Sequence, residues 1–230
     1  MTKRLALIGM GKMGKALAEL APQRGWELVA ALDEAHVQSG ITREMLNGAD
    51  VAIEFSVPEA APKNIRQIVA AGIPVVVGTT GWYGEFDSVK RDVEANGGAL
   101  LTAPNFSVGV NIFEQIVAFA SRLLATAPGF EAHIIETHHS AKKDAPSGTA
   151  NTLGKTASAA YGKAIPITSV RVGAVPGTHE LIFDAPFEQI HLEHIARDRR
   201  VFAEGALVAA AWLIGKRGVF GMNDVLGGAG

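Results

Sequence analysis

Residues 136–150, ETHHSAKKDAPSGTA, hold the densest group of side chains that could carry out chemistry. The stretch contains two adjacent histidines and two adjacent lysines, and it ends in a Pro-Ser-Gly-Thr turn. Histidine exchanges protons near neutral pH and lysine supplies a positive charge, as a catalytic loop requires. Metal sites and solvated loops use the same residue types, so these three interpretations compete.

Ligand spacing argues against the metal site. His138 and His139 follow a predicted strand, and neighbours on a strand point to opposite faces of the sheet. The chain has no cysteine, and no H-E-x-x-H helix completes a ligand set. We therefore expect no metal.

The end of the stretch favours catalysis over a solvated loop. Ser147, Gly148 and Thr149 come just before a predicted helix, where free backbone N–H groups can bind an anion. An anion site close to histidine and lysine suits a small dianionic substrate. Ser147 also fits a simple helix N-cap, and nothing beside it indicates a nucleophile.

A glycine loop near the N-terminus indicates a dinucleotide site. Gly9, Gly11 and Gly14 form G-x-G-x-x-G between a predicted strand at residues 5–8 and a predicted helix at 12–24. The first glycine permits the turn, the second lets the backbone approach a pyrophosphate, and the third allows close helix packing. The motif alone is weak, but the strand and helix around it strengthen the prediction.

An acidic residue ends the next predicted strand. Asp33 follows residues 27–32 and can accept hydrogen bonds from the hydroxyls of an adenosine ribose. Glu34 adds a second carboxylate where a 2′-phosphate would lie. The two charges predict NADH as the preferred cofactor and NADPH as the alternative.

The order of the elements predicts an α/β fold in two domains. Strands and helices alternate through residues 1–107, which predicts a Rossmann-type, doubly wound parallel sheet. Residues 108–204 predict an α+β domain with a mostly antiparallel or mixed sheet, which we assign to substrate binding and oligomerisation. Residues 205–230 are assigned to the dinucleotide-binding domain.

Composition narrows the class of protein. The chain has 230 residues, 48% of them hydrophobic, and a formal net charge of −2. This charge gives no reason to expect nucleic acid or an anionic membrane as a partner. The apolar runs are too short for a membrane span, so we expect a cytoplasmic protein.

Several segments together resemble one family. ETHHSAKKDAPSGTA is similar to the E-x-H-H-x-x-K-x-D-A-P-S-G-T-A signature of the dihydrodipicolinate reductases, also called 4-hydroxy-tetrahydrodipicolinate reductases. VVVGTTGW, APNFSVGVN and AAAWLIGKRGVFGMNDVLG resemble further segments of that family, in the same order. The resemblance covers nearly the whole chain.

The resemblance implies an activity and its residues. The family reduces 4-hydroxy-tetrahydrodipicolinate to tetrahydrodipicolinate with NADH or NADPH, in lysine and diaminopimelate biosynthesis. His138 would donate and accept the proton, and Lys142 would be the second proton donor, because the H-H-x-x-K spacing selects it over Lys143. The residues that would bind the dicarboxylate substrate are His139, Ser147, Gly148 and Thr149.

The resemblance also implies the cofactor residues and a homotetramer. Many relatives carry an arginine where this chain has Glu34, which argues against strong use of NADPH. The residues expected to bind the cofactor, besides those of the glycine motif and Asp33, are Met10, Lys12, Met13, Gly78, Thr79, Thr80, Ala103, Pro104, Asn105 and Phe106.

Two other functions stay open at this point. Another two-domain amino-acid dehydrogenase, such as an aspartate or diaminopimelate dehydrogenase, would share the glycine loop but does not need H-H-x-x-K. A nicotinamide-binding sensor without catalysis would keep Asp33 but would not need His138 and Lys142. His179, in VPGTHE, is predicted to be a turn residue or to lie near a subunit contact.

Overall fold

The chain folds into two compact units. The structure, a computed structural model, describes residues 2–37 and 39–227. One unit combines Met1–Val108 with Arg200–Gly230, and the other is Gly109–Arg199. The sequence analysis placed these boundaries at residues 107 and 205. Its domain ranges include residues 1, 38 and 228–230, which lie outside the described residues.

The first unit contains a parallel sheet of six strands, in the order β10-β5-β4-β3-β1-β2. Its predicted doubly wound fold is confirmed. The elements in chain order are β1 (Lys3–Ile8), α1 (Lys12–Gln23), β2 (Trp26–Leu32), α2 (Glu34–Val37), β3 (Val51–Glu54), α3 (Ala61–Ala70), β4 (Val75–Val77), a 3₁₀ turn (Tyr83–Glu85), α4 (Phe86–Ala95), β5 (Ala99–Thr102), α7 (Arg200–Leu213), β10 (Gly218–Phe220) and α8 (Met222–Val225).

Helices cover both faces of this sheet. Side chains alternate along β1, so Leu5 and Leu7 pack in the cluster that contains α1 and α7. Ala6 and Ile8 pack on the opposite face, in the cluster that contains α3 and α4. Burial on both faces explains why these strands are continuous apolar runs. Parallel pairing places the carboxyl ends of the strands at one edge of the sheet.

The edge strand β10, which pairs in parallel with β5, was not predicted. Its three residues are too few to show a period of their own, and only pairing with β5 defines them as a strand. The chain re-enters the first unit at Arg200, earlier than the predicted residue 205. α7 begins at Arg200 and continues through Gly205, where an added methyl group would overlap the carbonyl of Phe106.

The second unit contains a mixed sheet of four strands, in the order β7-β6-β8-β9. β6 pairs in parallel with β7, and the other pairs are antiparallel, so the predicted α+β character is confirmed. The elements are α5 (Val108–Leu124), β6 (Glu131–His138), α6 (Gly148–Tyr161), β7 (Ile167–Arg171), β8 (Thr178–Ala185) and β9 (Glu188–Ile195).

Helices α5 and α6 form one core with this sheet. Phe113 and Val117 of α5, with Leu153 of α6, pack against Ile134 and Phe183 of the strands. This core fixes the end of β6 relative to the start of α6, where the residues of the His-His-Lys stretch lie.

Candidate active site

The glycine loop joins β1 to α1, as its motif predicts. Gly9 has a φ of +90°, and an added methyl group would overlap the carbonyl of Phe55. A methyl group on Gly14 would overlap the carbonyl of Gly9, so this glycine lets α1 pack close to the loop. Gly11 is the N-cap of α1, has no side-chain cap, and has no atom within 4 Å of where a methyl group would be. The helix N-terminus is therefore open to an anion.

A pocket of about 430 Å³ lies beside this loop, within the first unit. It brings together six of the predicted cofactor residues, which come from two segments of the chain. The sequence analysis did not name the segment after β3, which completes the wall. The lining residues are Gly11, Lys12, Met13, Phe55, Ser56, Pro58, Gly78, Thr79 and Thr80.

Asp33 lies directly after β2, and its side chain is half exposed. Nδ1 of the His36 ring lies 2.6 Å from Oδ1 of Asp33, and the backbone N–H of His36 donates to the same oxygen at 3.3 Å. These hydrogen bonds hold the pKa of Asp33 below its usual value, so the carboxylate stays ionised. His36 was not predicted, because the short helix α2 that places it has no apolar periodicity.

The remaining predicted cofactor residues lie outside the pocket lining. Ala103 and Phe106 are buried just after β5, and the Phe106 ring packs edge-on against Phe55, with centroids 6.1 Å apart. Asn105 accepts a hydrogen bond from the backbone N–H of Ser107 at 2.8 Å. Pro104 is exposed. Met10 packs partly against the core beneath the glycine loop.

In the second unit, His138 is the last residue of β6 and is buried. Its Nδ1 makes a short hydrogen bond with the carboxylate of Glu136, whose side chain is fully buried. The two residues are two positions apart on one strand, so their side chains share a face. Because a carboxylate only accepts, Nδ1 carries the hydrogen and Nε2 is the reactive nitrogen.

Glu136 also binds two other elements of the unit. Nη2 of Arg171, at the end of β7, donates to Oε1 at 2.7 Å, and the backbone N–H of Ser147 donates to the same oxygen at 3.3 Å. Burial alone would raise the pKa of Glu136, but the hydrogen bonds from Arg171, Ser169 and His138 outweigh it and lower the pKa to about 2. The residue is a buried permanent anion.

Burial lowers the pKa of His138, and the positive charges of Lys142 and Arg171 lower it further. The carboxylate of Glu136 acts in the opposite direction but does not compensate fully. His138 is therefore a stronger acid when protonated than an ordinary histidine.

The prediction for His179 as a turn residue is wrong. His179 lies in β8, opposite Glu136 in the antiparallel pair, and only 5% of it is exposed. Its ring meets the His138 ring edge-on, with centroids 5.2 Å apart, and its Nε2 lies 3.2 Å from Oγ of Ser147. Burial, followed by the charge of His138, lowers its pKa to about 4, so it is neutral at physiological pH.

The substrate residues predicted after β6 lie at or near the start of α6. Ser147 is the N-cap, and its hydroxyl accepts from the backbone N–H of Ala150 at 3.1 Å. Gly148 is exposed and Thr149 is partly buried, so the first helical turn faces open space beside the buried cluster. An anion could bind at this turn, because backbone N–H groups point outward at a helix N-terminus.

Of the two neighbouring lysines, Lys142, which the family motif selects, is held by an ion pair. Nζ of Lys142 binds both oxygens of Asp144, at 2.8 and 3.1 Å, whereas Lys143 is exposed. This pairing lowers the pKa of Asp144. His139, the residue after β6, is partly exposed.

Arg171 and Glu136 were not predicted as functional residues. The E-x-H spacing was a usable signal for Glu136, because positions two apart on a strand share a face. Arg171 had no signal in the sequence, since only the pairing of β6 with β7 brings it to Glu136.

Two negative findings concern the part of the chain that the structure describes. Within residues 2–37 and 39–227, none of the helices combines the length and the apolar character that crossing a bilayer would require. Over the same residues, no cluster of three or more His, Asp or Glu side chains has an arrangement that could hold a metal ion.

A doubly wound sheet with an open glycine loop after its first strand is typical of dinucleotide-dependent oxidoreductases. Comparison with known proteins gives the family. Residues 3–106 match the family model for the N-terminus of dihydrodipicolinate reductase, and residues 109–226 match the model for its C-terminus. The chain belongs to the dihydrodipicolinate reductase family.

Individual relatives agree. A 4-hydroxy-tetrahydrodipicolinate reductase from Christiangramia forsetii is 37% identical over 236 residues, with 96% of this chain and 97% of the relative covered. One from Methanoregula boonei is 36% identical over 244 residues, with 94% of each covered. A dipicolinate-bound dihydrodipicolinate reductase from Paenisporosarcina sp. TG-14 has the same fold, with a TM-score of 0.81, 23% identity, and 97% and 99% of the two chains covered.

Proposed function

We propose that this protein reduces 4-hydroxy-tetrahydrodipicolinate to tetrahydrodipicolinate, with NADH as the preferred cofactor and His138 as the proton donor. The observation that carries this proposal is the buried Glu136–His138 pair beside the open start of α6. A binding protein without catalysis has no use for a histidine whose tautomer and acidity are fixed in this way.

The first unit fits a dinucleotide. The absence of side-chain crowding at Gly11 and the open first turn of α1 suit a pyrophosphate, and Asp33 is ionised and exposed, as a partner of ribose hydroxyls must be. When bound, the reduced nicotinamide supplies the hydride. The protein orients the reactants and supplies charge and protons.

His138 would protonate the carbon next to the one that receives hydride. In its protonated form, Nδ1–H stays with Glu136 and Nε2–H is available to the substrate. Glu136 stabilises the imidazolium, while burial and the nearby cations make it release its proton readily. After the transfer, His138 would be neutral, with its remaining hydrogen on Nδ1 beside Glu136.

The substrate's carboxylates would bind at the open turn of α6 and at Lys142. The backbone N–H groups of Gly148 and Thr149 would hold one carboxylate, next to the helix dipole. His139 and Lys142 would hold the other, with the substrate replacing Asp144 as the partner of Nζ. The positive charge of Lys142 would also assist departure of the 4-hydroxyl group as water.

The preference for NADH rests on the carboxylates of Asp33 and Glu34 after β2. Both are exposed, and a 2′-phosphate there would be repelled. We also propose a homotetramer, as the family resemblance implies, and a cytoplasmic location, as the composition and the short apolar runs suggest. Sedimentation would test the assembly, and cell fractionation would test the location.

The experiment is a coupled assay. Substrate is generated in place by dihydrodipicolinate synthase from pyruvate and aspartate semialdehyde, and oxidation of NADH or NADPH is followed. Oxidation that depends on the synthase is expected with both cofactors and should be faster with NADH. Protein that binds NADH but oxidises neither cofactor would overturn the assignment and favour a sensor or another amino-acid dehydrogenase.

A matched pair of variants tests the role of His138. His138→Gln should lower kcat by about 100- to 10,000-fold, as loss of a general acid does, and should leave NADH binding intact. His133→Gln makes the same change on the same strand, at a partly exposed residue bonded to Thr168. It should retain activity, and equal losses in the two variants would remove His138 from the mechanism.

A further inference from the structure

Glu54, the last residue of β3, is fully buried beneath the cofactor pocket and takes no part in the mechanism described above. Three neutral donors bind its carboxyl group. Thr79 Oγ1 donates to Oε2 at 2.6 Å, Asn64 Nδ2 donates to Oε1 at 3.3 Å, and Ser56 donates its hydroxyl to Oε1 in a short hydrogen bond. The carboxyl group thus joins the segments that follow β3 and β4.

Each of the two hydroxyl groups has a single hydrogen, and Glu54 receives it. The alternative acceptor for Ser56, the carbonyl of Val57, is 3.5 Å away, beyond an ordinary hydrogen bond. Thr79 Oγ1 accepts from the backbone N–H of Ser56 at 2.8 Å, and Ser56 Oγ accepts from Asn64 at 3.3 Å. Each oxygen therefore keeps one lone pair and has no proton left to offer.

Ser56 and Thr79 both line the pocket, opposite the glycine loop. β1 lies between β2 and β3, so Asp33 and this wall are on opposite sides of the loop. A dinucleotide with its adenosine ribose at Asp33 and its pyrophosphate at Gly11 would place its nicotinamide-ribose half along the wall.

We propose that Glu54 is a positioning residue that turns the Ser56 and Thr79 hydroxyls into obligate acceptors, so that this wall selects hydrogen-bond donors of the nicotinamide-ribose half of the cofactor. This inference deepens the proposed use of NADH and rests on it. The donors in that half are the carboxamide NH₂ and the ribose hydroxyls, and both would match the free lone pairs.

A buried carboxyl group is well suited to this task. In its ionised form the Glu54 carboxyl group only accepts, so it fixes the direction of both hydroxyl groups at once. If glutamine replaces Glu54, its amide nitrogen must donate, and this nitrogen faces either Ser56 or Thr79. One hydroxyl group would then accept from the amide and turn its proton towards the pocket, where it would face a donor.

The test is Glu54→Gln, with affinities measured by fluorescence or calorimetry for three ligands. NADH affinity should fall about fivefold, the loss of one hydrogen bond, and ADP affinity should not change because ADP lacks the nicotinamide-ribose half. The 3-acetylpyridine analogue of NADH lacks the amide NH₂ but keeps the ribose. If its affinity does not change, the amide is the donor, and if it falls with that of NADH, the ribose is the donor.

Equal losses for NADH and ADP, or unchanged NADH affinity, would overturn the inference, because a merely structural role cannot distinguish the two halves of the ligand. Glu59→Gln removes an exposed carboxylate in the same segment and controls for a general charge effect. If Glu54→Gln folds poorly, Thr79→Val gives a second route. It should also weaken NADH selectively, and the two changes combined should weaken it less than the product of their separate effects.

The wild-type protein separates the two possible failures. If it binds no NADH, the proposed function fails. If it binds and oxidises NADH but Glu54→Gln shows no selective loss, only the role of Glu54 is overturned.

Discussion

The two units each bury one glutamate completely, and their surroundings act on the two carboxyl groups in opposite directions. Glu136 binds the guanidinium of Arg171 and the ring of His138, and its pKa falls to about 2. Glu54 binds only hydroxyl and amide donors, and burial raises its pKa above the ordinary value. Both side chains are inaccessible to solvent, but only Glu136 has cationic partners, and these lower its pKa.

The difference corresponds to two tasks. A charged carboxylate beside His138 stabilises an imidazolium, which suits a residue that gains and loses a proton. A carboxylate among hydroxyl groups fixes the direction of hydrogen bonds and carries no cation with it. In this protein, the buried acid with cationic donors is the one beside the proposed proton donor, and the buried acid with neutral donors is the one that would orient hydroxyl groups.

The largest expected difference between the two glutamates is in stability. Glu136→Gln should lower the free energy of unfolding by about 2–3 kcal/mol, because the fully buried carboxylate loses its charge-assisted hydrogen bond with Arg171. Glu54→Gln leaves no buried charge behind and should change stability by only about 1–2 kcal/mol. Urea denaturation of both variants measures the comparison.

A double variant checks the cause. Adding Arg171→Met to Glu136→Gln removes the uncompensated cation and should recover part of the lost stability. If it recovers none, or if the two single variants lose equal stability, the charge pairing does not distinguish the two sites.

The pH dependence of stability should have opposite signs at the two sites. The pKa of Glu136 is lowered from the ordinary value of 4.5 to about 2, so its contribution to stability is present above about pH 4.5 and is lost as pH falls towards 2. The pKa of Glu54 is raised, so its contribution is present below the unfolded pKa and is lost as pH rises through the folded pKa.

Unfolding free energies measured between about pH 3 and about pH 8 test both signs. Compared with wild type, Glu136→Gln should lose less stability on acidification. The stability that Glu54→Gln loses relative to wild type should be smaller at the alkaline end of this range than at the acidic end. The same slope in both variants would contradict the assignment of opposite pKa shifts.

The sequence predicted the features that depend on local order. The glycine loop and the alternation of strands and helices follow from spacing along the chain, whereas the choice of Lys142 over Lys143 came from the family resemblance and stays a prediction. The contacts of the two buried glutamates do not follow from spacing, because Arg171 reaches Glu136 through the pairing of β6 with β7, and Thr79 reaches Glu54 through the pairing of β3 with β4. Strand pairing depends on tertiary structure, and no local sequence pattern specifies it.

His179 shows the same limit in one residue. His179 was predicted to be a turn residue, but the turn lies earlier, at Gly173 and Ala174, and β8 begins at Thr178. Register then places His179 opposite Glu136 and against His138. A one-residue shift would have directed the side chain to the other face of the sheet.

A smaller effect is expected in the pH profile of activity. If His138 donates the proton, kcat/KM should decline as pH rises through the pKa of His138, which burial and the cations of Lys142 and Arg171 place below the ordinary histidine value. Glu136→Gln removes the one group that raises this pKa, so the decline should move to lower pH. Glu54→Gln should leave the midpoint unchanged. A midpoint that is the same in all three proteins would assign the titration to another group.

The smallest expected effect concerns carboxylates at the surface, where solvent screens charge. Glu34→Arg should raise the NADPH-to-NADH ratio of kcat/KM by about fivefold, since exposed ion pairs contribute at most about 1 kcal/mol. Glu34→Gln removes the repulsion without adding attraction, so it should produce a smaller rise. At about 0.5 M salt both rises should shrink, because the screening length falls below about 5 Å. The effects of substituting the buried Glu136 should persist in the same salt, because no solvent separates it from Arg171. A cofactor ratio that does not respond to salt would show that Glu34 acts through local structure and not through its charge.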